Sequence, residues 1–161
     1  MYIREATKED SNGMSSLAIA LTEKYLAPEF PESAGKKLIM SMSSDSIARN
    51  LESDFSYHVA VNDDEIVGLI GIKSNTHLYH LFVSENHQRD GIARLLWEVA
   101  KTQCYENGNK EKIIVNSSLY AKGVYEKLGF VAVSGQQERN GVTTISMEYA
   151  IKTQAKGSII K

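Results

Sequence analysis

The chain holds little that could link it covalently or through a metal. It has one cysteine, Cys104, which excludes an intramolecular disulfide and a cysteine-rich metal cluster. Cys104 falls in a segment that reads as helix, where a lone thiol packs as a small apolar group. The two prolines, Pro28 and Pro31, sit close together and mark a break after the first helical stretch. No apolar run approaches the ~20 residues that span a bilayer. Met1–Arg4 leads straight into polar sequence, so a signal peptide is not expected. Acidic and basic residues nearly balance, 20 against 18, which removes any general electrostatic reason to bind nucleic acid or an anionic membrane. The chain is therefore expected to be cytoplasmic, with no nucleic acid, membrane or metal among its partners.

What is present suits one domain, residues 1–161. The hydrophobic share of 42% is enough for a core that needs no staples. Tyr2-Ile3-Arg4 reads as a first strand. Thr7 can cap a helix to about Leu26, with Leu17, Leu21 and Tyr25 on one face. Residues 27–43 read as irregular or weakly helical, and Ser44 or Asp45 can cap a short helix through Leu51. The middle is rich in strands: Tyr57–Val61, a turn at Asn62-Asp63-Asp64, Ile66–Ile72, then Thr76–Val83. A helix is expected from Gly91 to about Glu106, ended by Gly108. A short strand at Lys112–Asn116 follows, then a helix capped by Ser117 or Ser118. Two strands joined at Asn140-Gly141 complete a mixed α+β sheet.

The most informative stretch is Leu81-Phe82-Val83, a polar loop, and Gln88-Arg89-Asp90-Gly91-Ile92-Ala93-Arg94. A strand feeds a loop that turns directly into a helix. The first turn of a helix leaves amides without partners, and with the helix dipole these make an anion site. Gly91 permits the sharp turn and a close approach, and Arg89 and Arg94 add positive charge. The glycine spacing is neither that of a dinucleotide fold nor that of a P-loop.

Gln88-x-x-Gly91-x-Ala93 resembles the Q/R-x-x-G-x-G/A motif of the GNAT superfamily, the GCN5-related N-acetyltransferases. Further on, Ala121-x-x-x-Tyr125-Glu126-Lys127-Leu128-Gly129-Phe130 is similar to a second block of that family. The two stand in the family's order, and the likeness covers roughly Tyr57 to Tyr149. It implies a GNAT fold: a central mixed, mostly antiparallel twisted sheet of about seven strands with about four helices. It also implies an acetyltransferase using acetyl-CoA as co-substrate. Leu81, Phe82, Val83, Gln88, Arg89, Asp90, Gly91, Ile92, Ala93, Arg94 and Tyr125 would then lie along the coenzyme. The sequence departs from the family where many members carry Asn seven residues before the tyrosine. Ser118 stands there, with Asn116 two residues earlier. Asn116 or Ser118 would touch the pantetheine arm, or both would only cap the helix.

Acetyl transfer to an amine has three needs. The ammonium, with a pKa near ~10, must lose a proton; the carbonyl oxygen must be stabilised; the thiolate must leave. The resemblance makes Tyr125 the acid facing the sulfur, and a backbone N–H near Phe82 or Val83 the oxyanion donor. On Thr76–Val83, strand alternation puts His77, Tyr79, Leu81 and Val83 on one side and Leu78, His80 and Phe82 on the other. Family members place a glutamate or histidine base on this strand, at positions matching His77 and Tyr79. His77 is therefore the candidate base, its imidazole suited to proton relay near neutral pH; a chain of waters is the alternative. A strand bulge would reverse the sides and bring in His80. The resemblance also puts acceptor specificity in Tyr25–Met42 and Gln136–Val142. Tyr25, Phe30 and Tyr79 are the candidate substrate contacts. A small-molecule amine leads. A protein lysine or N-terminus, a charged tRNA, and a coenzyme-binding module without catalysis stand as rivals. Relatives often pair through their C-terminal strands, which leaves a homodimer open.

Overall fold

The structure, a computed structural model, describes residues 1–151. The chain starts with β1, Tyr2–Glu5. The amide of Thr7 then donates to Asp10 Oδ2 at 2.8 Å, and Arg4 grips the same carboxylate with two bonds of 2.8 and 2.9 Å. This clamp opens one long helical run: a 3-10 turn at Lys8–Asp10, α1 at Ser11–Leu21, and a π turn at Thr22–Leu26. A second 3-10 turn, Ala27–Glu29, leads to α2 at Glu32–Met40 and α3 at Ser44–Leu51.

Of the two readings of residues 27–43, irregular or weakly helical, α2 bears out the helical one over Glu32–Met40. Gly35 is its one fully buried residue, while Ala34, Leu38 and Ile39 are half-buried on the same side, so its apolar stripe is shallow. The cap of α3 is Ser43, one residue before the expected pair; its hydroxyl accepts from the Ser46 amide at 3.1 Å.

The strands follow as β2 (Phe55–Asn62), β3 (Glu65–Lys73) and β4 (His77–Val83). Asp63 and Asp64 turn the first hairpin with φ of 50 and 63°, and Ser74 and Asn75 the second with 54 and 61°. Paired left-handed residues match the natural twist of two strands. Next come α4 (Ile92–Glu106), β5 (Lys112–Ser118) and α5 (Lys122–Leu128). The helix holding Tyr125 begins after Ala121 rather than after Ser117 or Ser118. β6 (Val131–Arg139) and β7 (Val142–Ala150) close the chain, turned by Asn140-Gly141.

The sheet order is β1-β2-β3-β4-β5-β7-β6. Only β4 and β5 are parallel; the other five pairs are antiparallel. Five α-helices cover it among the described residues, one more than the resemblance implied, and α2 is the difference. One core lies under α4 and α5, centred on Leu96, Trp97 and Phe130. The other lies under α1 and α3, around Met14, Ala18 and Ile47. No described helix is long and apolar enough to cross a membrane.

Candidate functional site

β4 and β5 pair at a single position, His77 against Ile114. Beyond it the two strands share no ladder, and the gap opens into a cavity of about 470 Å3. Four elements wall it: Leu21, Tyr25 and Leu26 at the end of the first helical run; Leu81–Val83 on β4; the loop and first turn of α4; and Tyr120–Leu128 with α5.

The loop is held from behind. Gln88 Nε2 donates to the Val83 carbonyl at 3.0 Å. Arg89 (φ 72°) and Gly91 (φ 79°) are both left-handed, and Gly91 is the N-cap of α4. Alternating backbone of this kind points successive amides into one hollow. The first α4 bond runs from Leu95 N–H to Gly91 O at 3.0 Å, and the loop's own bonds stop at Gln88 N–H. Among the described residues, the six consecutive amides 89–94 therefore have no protein acceptor. With the dipole of a 15-residue helix behind them, they form a ready anion site. Arg94 adds its charge beside α5, donating to the Lys127 carbonyl.

Further in, the Tyr125 ring packs edge-on against Phe130, with centroids 5.6 Å apart. Burial alone pushes its phenol well above the usual tyrosine range. The group stays protonated at any working pH, a donor facing the cavity.

The strand amides can be sorted by their bonds. Ser84 N–H bonds to Val67 O of β3 at 2.8 Å. Strand alternation then turns the Phe82 amide towards β3 as well, and the Leu81 and Val83 amides towards the gap. The Val83 carbonyl, taken by Gln88, faces the same way. Of the two expected oxyanion donors, Val83 is aimed at the cavity and Phe82 is not.

β4 also carries a bulge. Gly71 pairs with His80 but Ile72 with Leu78, leaving Tyr79 as the extra residue. The expected alternation fails there. Leu78 joins Leu81 and Val83 in the core under α4, while Phe82 lies in the core under α1. His80 follows Phe82: the rings are 5.8 Å apart, and His80 Nδ1 is 3.0 Å from the Tyr57 hydroxyl. Asn50 Nδ2 donates to that hydroxyl at 3.1 Å. Burial holds the His80 pKa down at about 4.

Several sequence candidates stay outside the cavity wall. His77 sits at the closed end of the gap beside Tyr79, with ring centroids 5.9 Å apart; burial, aided by Lys73, lowers its pKa. Tyr79 is 47% exposed and packs on Phe55. Phe30, Asp90, Asn116 and Ser118 are also absent from the lining. Asn116 Oδ1 accepts from Ser146 Oγ at 3.2 Å, and Ser118 Oγ accepts from the Ala121 amide at 3.1 Å. Gathered as expected are Tyr25, Leu81, Phe82, Val83, Gln88, Arg89, Gly91, Ile92, Ala93, Arg94 and Tyr125.

Sequence reasoning missed Tyr120 and Val124, which are 50% and 44% exposed at the mouth. Their signal was apolar character outside the core stripe of Tyr125 and Leu128. The Tyr120 ring stacks on Tyr25 at 5.1 Å. The Tyr25 hydroxyl donates to Glu85 Oε2 at 2.7 Å, and Lys24 Nζ reaches the same oxygen at 2.9 Å. Among the described residues no three His, Cys, Asp or Glu side chains come together to hold a metal.

Comparison with known proteins bears on this geometry. The family model of the acetyltransferase (GNAT) domain matches residues 26–151. Human N-acetyltransferase 8 is 28% identical over 85 residues, 46% of this chain and 37% of its own length. The matched stretch thus spans little more than a third of that relative. PaiA N-acetyltransferase of Thermoplasma acidophilum, solved with coenzyme A, superposes with a TM-score of 0.76 at 18% identity, over 92% of this chain and 98% of its own. Aminoglycoside 6'-acetyltransferase type Ii gives 0.72 at 21% identity, over 94% and 97%. Likeness at that level of identity shows the fold.

Proposed function

The chain belongs to the GNAT acetyltransferase family, and from that premise we propose that it moves the acetyl group of acetyl-CoA to the primary amine of a small molecule, by direct attack in a ternary complex. The observation that carries this reading is the row of six unpartnered amides, 89–94, on the wall of the cavity that Tyr125 faces. The pyrophosphate of the coenzyme suits those amides, with Gln88 bracing the loop and Arg89 and Arg94 supplying charge. The pantetheine arm would run along Val124 and Tyr120 to bring the thioester between Val83 and Tyr125.

The chemistry follows from the groups at that point. The amides of Val83 and Leu81 polarise the thioester carbonyl and hold the charge that develops on its oxygen. The neutral amine attacks the carbonyl carbon, the C–N bond forms and the C–S bond breaks. The nitrogen gives up one proton, and the released thiolate takes one from the solvent. A phenol held far above the thiol range does not give up its proton outright. Tyr125 instead stabilises the departing thiolate by a strong hydrogen bond. His77, outside the wall, would take the amine's proton through water.

A small acceptor is favoured by the aromatic pair of Tyr25 and Tyr120, with Glu85 bonded to Tyr25, and by the aminoglycoside enzyme among the structural neighbours. β6 is an edge strand with Val131 and Val133 exposed, a surface suited to pairing with a second copy in the cytoplasm.

The test is acetyl-CoA-dependent thiol release across amines, polyamines, aminoglycosides, a lysine peptide and a charged tRNA. A small primary amine should give the highest kcat/KM. Acetyl-CoA at millimolar concentration should also raise the Tm by mass action. A Tm that does not move would overturn the reading, and a peptide or tRNA as best acceptor would overturn the small-molecule part.

A further inference from the structure

A second hollow, of about 440 Å3, shares no residue with the first. It lies where β1 and β2 meet the C-terminal half of α4. Glu98, Thr102 and Glu106 line it at helical steps of four, so the two carboxylates stand about 12 Å apart along the axis. Glu5 of β1 adds a third. The carbonyl end of α4 contributes negative potential of its own. Among the described residues Lys101 pairs with Glu98 at 2.8 Å, while Glu5 and Glu106 have no cationic partner. Glu5 accepts only an amide hydrogen bond, from Gln103 Nε2 at 3.1 Å.

A carboxylate stripe alone would be a solvated face. The independent observation is His58. It lines the same hollow, is only 5% exposed, and stands in register opposite Glu5. Among the described residues neither ring nitrogen has a hydrogen-bond partner. A buried polar side chain is normally satisfied, so an imidazole left open towards a carboxylate-lined hollow points to a ligand that donates hydrogen bonds. Burial lowers its pKa against the opposing pull of Glu5, leaving the ring neutral and able to accept at pH 7.

The spacing selects the kind of cation. No three of these groups converge as a metal would need. Charges spread along a chain match them better, and the exposed side chain of Val99 offers an apolar wall for methylenes. We propose that the hollow between β1, β2 and α4 binds a linear polyamine, its ammonium groups on Glu5, Glu98 and Glu106 and one N–H donated to His58. This site is separate from the acetyl-transfer cavity, and its binding requires neither acetyl-CoA nor turnover.

The test is titration of the whole chain with spermidine at low ionic strength, with histidine ring signals followed by NMR in the absence of acetyl-CoA. The His58 signals should shift saturably. The double variant Glu5→Gln/Glu106→Gln should weaken binding at least tenfold while thiol release on the best acceptor stays at the wild-type rate. Glu85→Gln, at the mouth of the other cavity, should leave the His58 shift unchanged. His58 signals that do not move up to millimolar spermidine would overturn the proposal. So would equal affinity in the double variant, or equal displacement by Mg2+ at the same concentration, which is the mark of a diffuse charge effect. These outcomes are independent of whether the first cavity transfers acetyl groups.

Discussion

The two walls of the cavity that opens between β4 and β5 are made differently. On one side, the loop through Gly91 and the first turn of α4 present backbone amides, fixed by two left-handed residues and the Gln88 brace. On the other side, the π turn at Thr22–Leu26 and the bulged strand β4 present side chains: Tyr25, Phe82, and behind them His80 on Tyr57. A backbone site depends on φ and ψ, which tolerate little sequence change, and it recognises a ligand common to a whole family. A side-chain site depends on which residues happen to project, and it can be rebuilt without touching the fold. Under the proposed function, this contrast would let a fixed donor and a variable acceptor share one cavity.

Substitutions can break this contrast, and Tyr125→Phe should do most. Among the described residues burial is the only influence on the phenol, so removing the hydroxyl should leave folding and coenzyme affinity intact while turnover falls by about 10²–10³, as for a lost charge-stabilising donor. Steady-state kinetics beside calorimetry of coenzyme binding measures both, and wild-type turnover would remove Tyr125 from the mechanism.

The second expectation concerns His80. Its folded pKa of about 4 lies below the ordinary 6.5, so the unfolded chain takes up the proton first as pH falls. Stability that is complete above 6.5 is lost as pH drops towards 4. By linkage about 2–3 kcal/mol should disappear between pH 7 and 4.5, and His80→Asn should remove about that much of the pH dependence. Urea midpoints at the two pH values decide it; an unchanged slope would mean that the ring is not held neutral by burial.

Gly91→Val tests the backbone wall. A Cβ there meets nothing within 4 Å, so the whole effect must come from forcing φ away from 79°. A penalty of about 1–2 kcal/mol should appear as a roughly tenfold loss of coenzyme affinity. Affinity that survives would show that the arginines, not the amides, hold the anion. The smallest change is expected from Tyr25→Phe, which keeps the stack on Tyr120 but drops the bond to Glu85. The acceptor KM should rise by less than about threefold, as exposed polar contacts contribute little, and coenzyme affinity should stay constant. A change in coenzyme affinity instead would place Tyr25 on the other wall.

How much could be read in advance follows the same division. The helix cap at Gly91, the turn at Asn140-Gly141 and the run of β2 to β4 were legible because each rests on local backbone preference. α2 was legible only as one of two readings, since Gly35 is its one buried residue and Leu38 and Ile39 give it a shallow stripe. The faces of β4 were misjudged from one extra residue. Strict alternation put His77 with Leu81 and Val83, and the bulge at Tyr79 undoes this. Nothing in His77-Leu78-Tyr79-His80 announces a bulge, because it arises from the register against Gly71 and Ile72 on the neighbouring strand. Asn116 and Ser118 kept two readings open for a similar reason, and their bonds to Ser146 and Ala121 show what they hold within the fold.

By itself, the sequence determined the loop of free amides proposed to hold the coenzyme. A strand, a polar loop, a glycine and a helix are contiguous, and neighbouring residues need only local geometry to converge. The tertiary structure alone decided the side-chain wall proposed for the acceptor. There Tyr25 meets Tyr120 across 95 positions of chain, and behind them Tyr57 finds His80 from another strand; in the separate second hollow, Glu5, His58 and Glu106 come from three elements. Such groups are brought together by sheet register and by helix packing on two cores, and neither is written in any short stretch of residues.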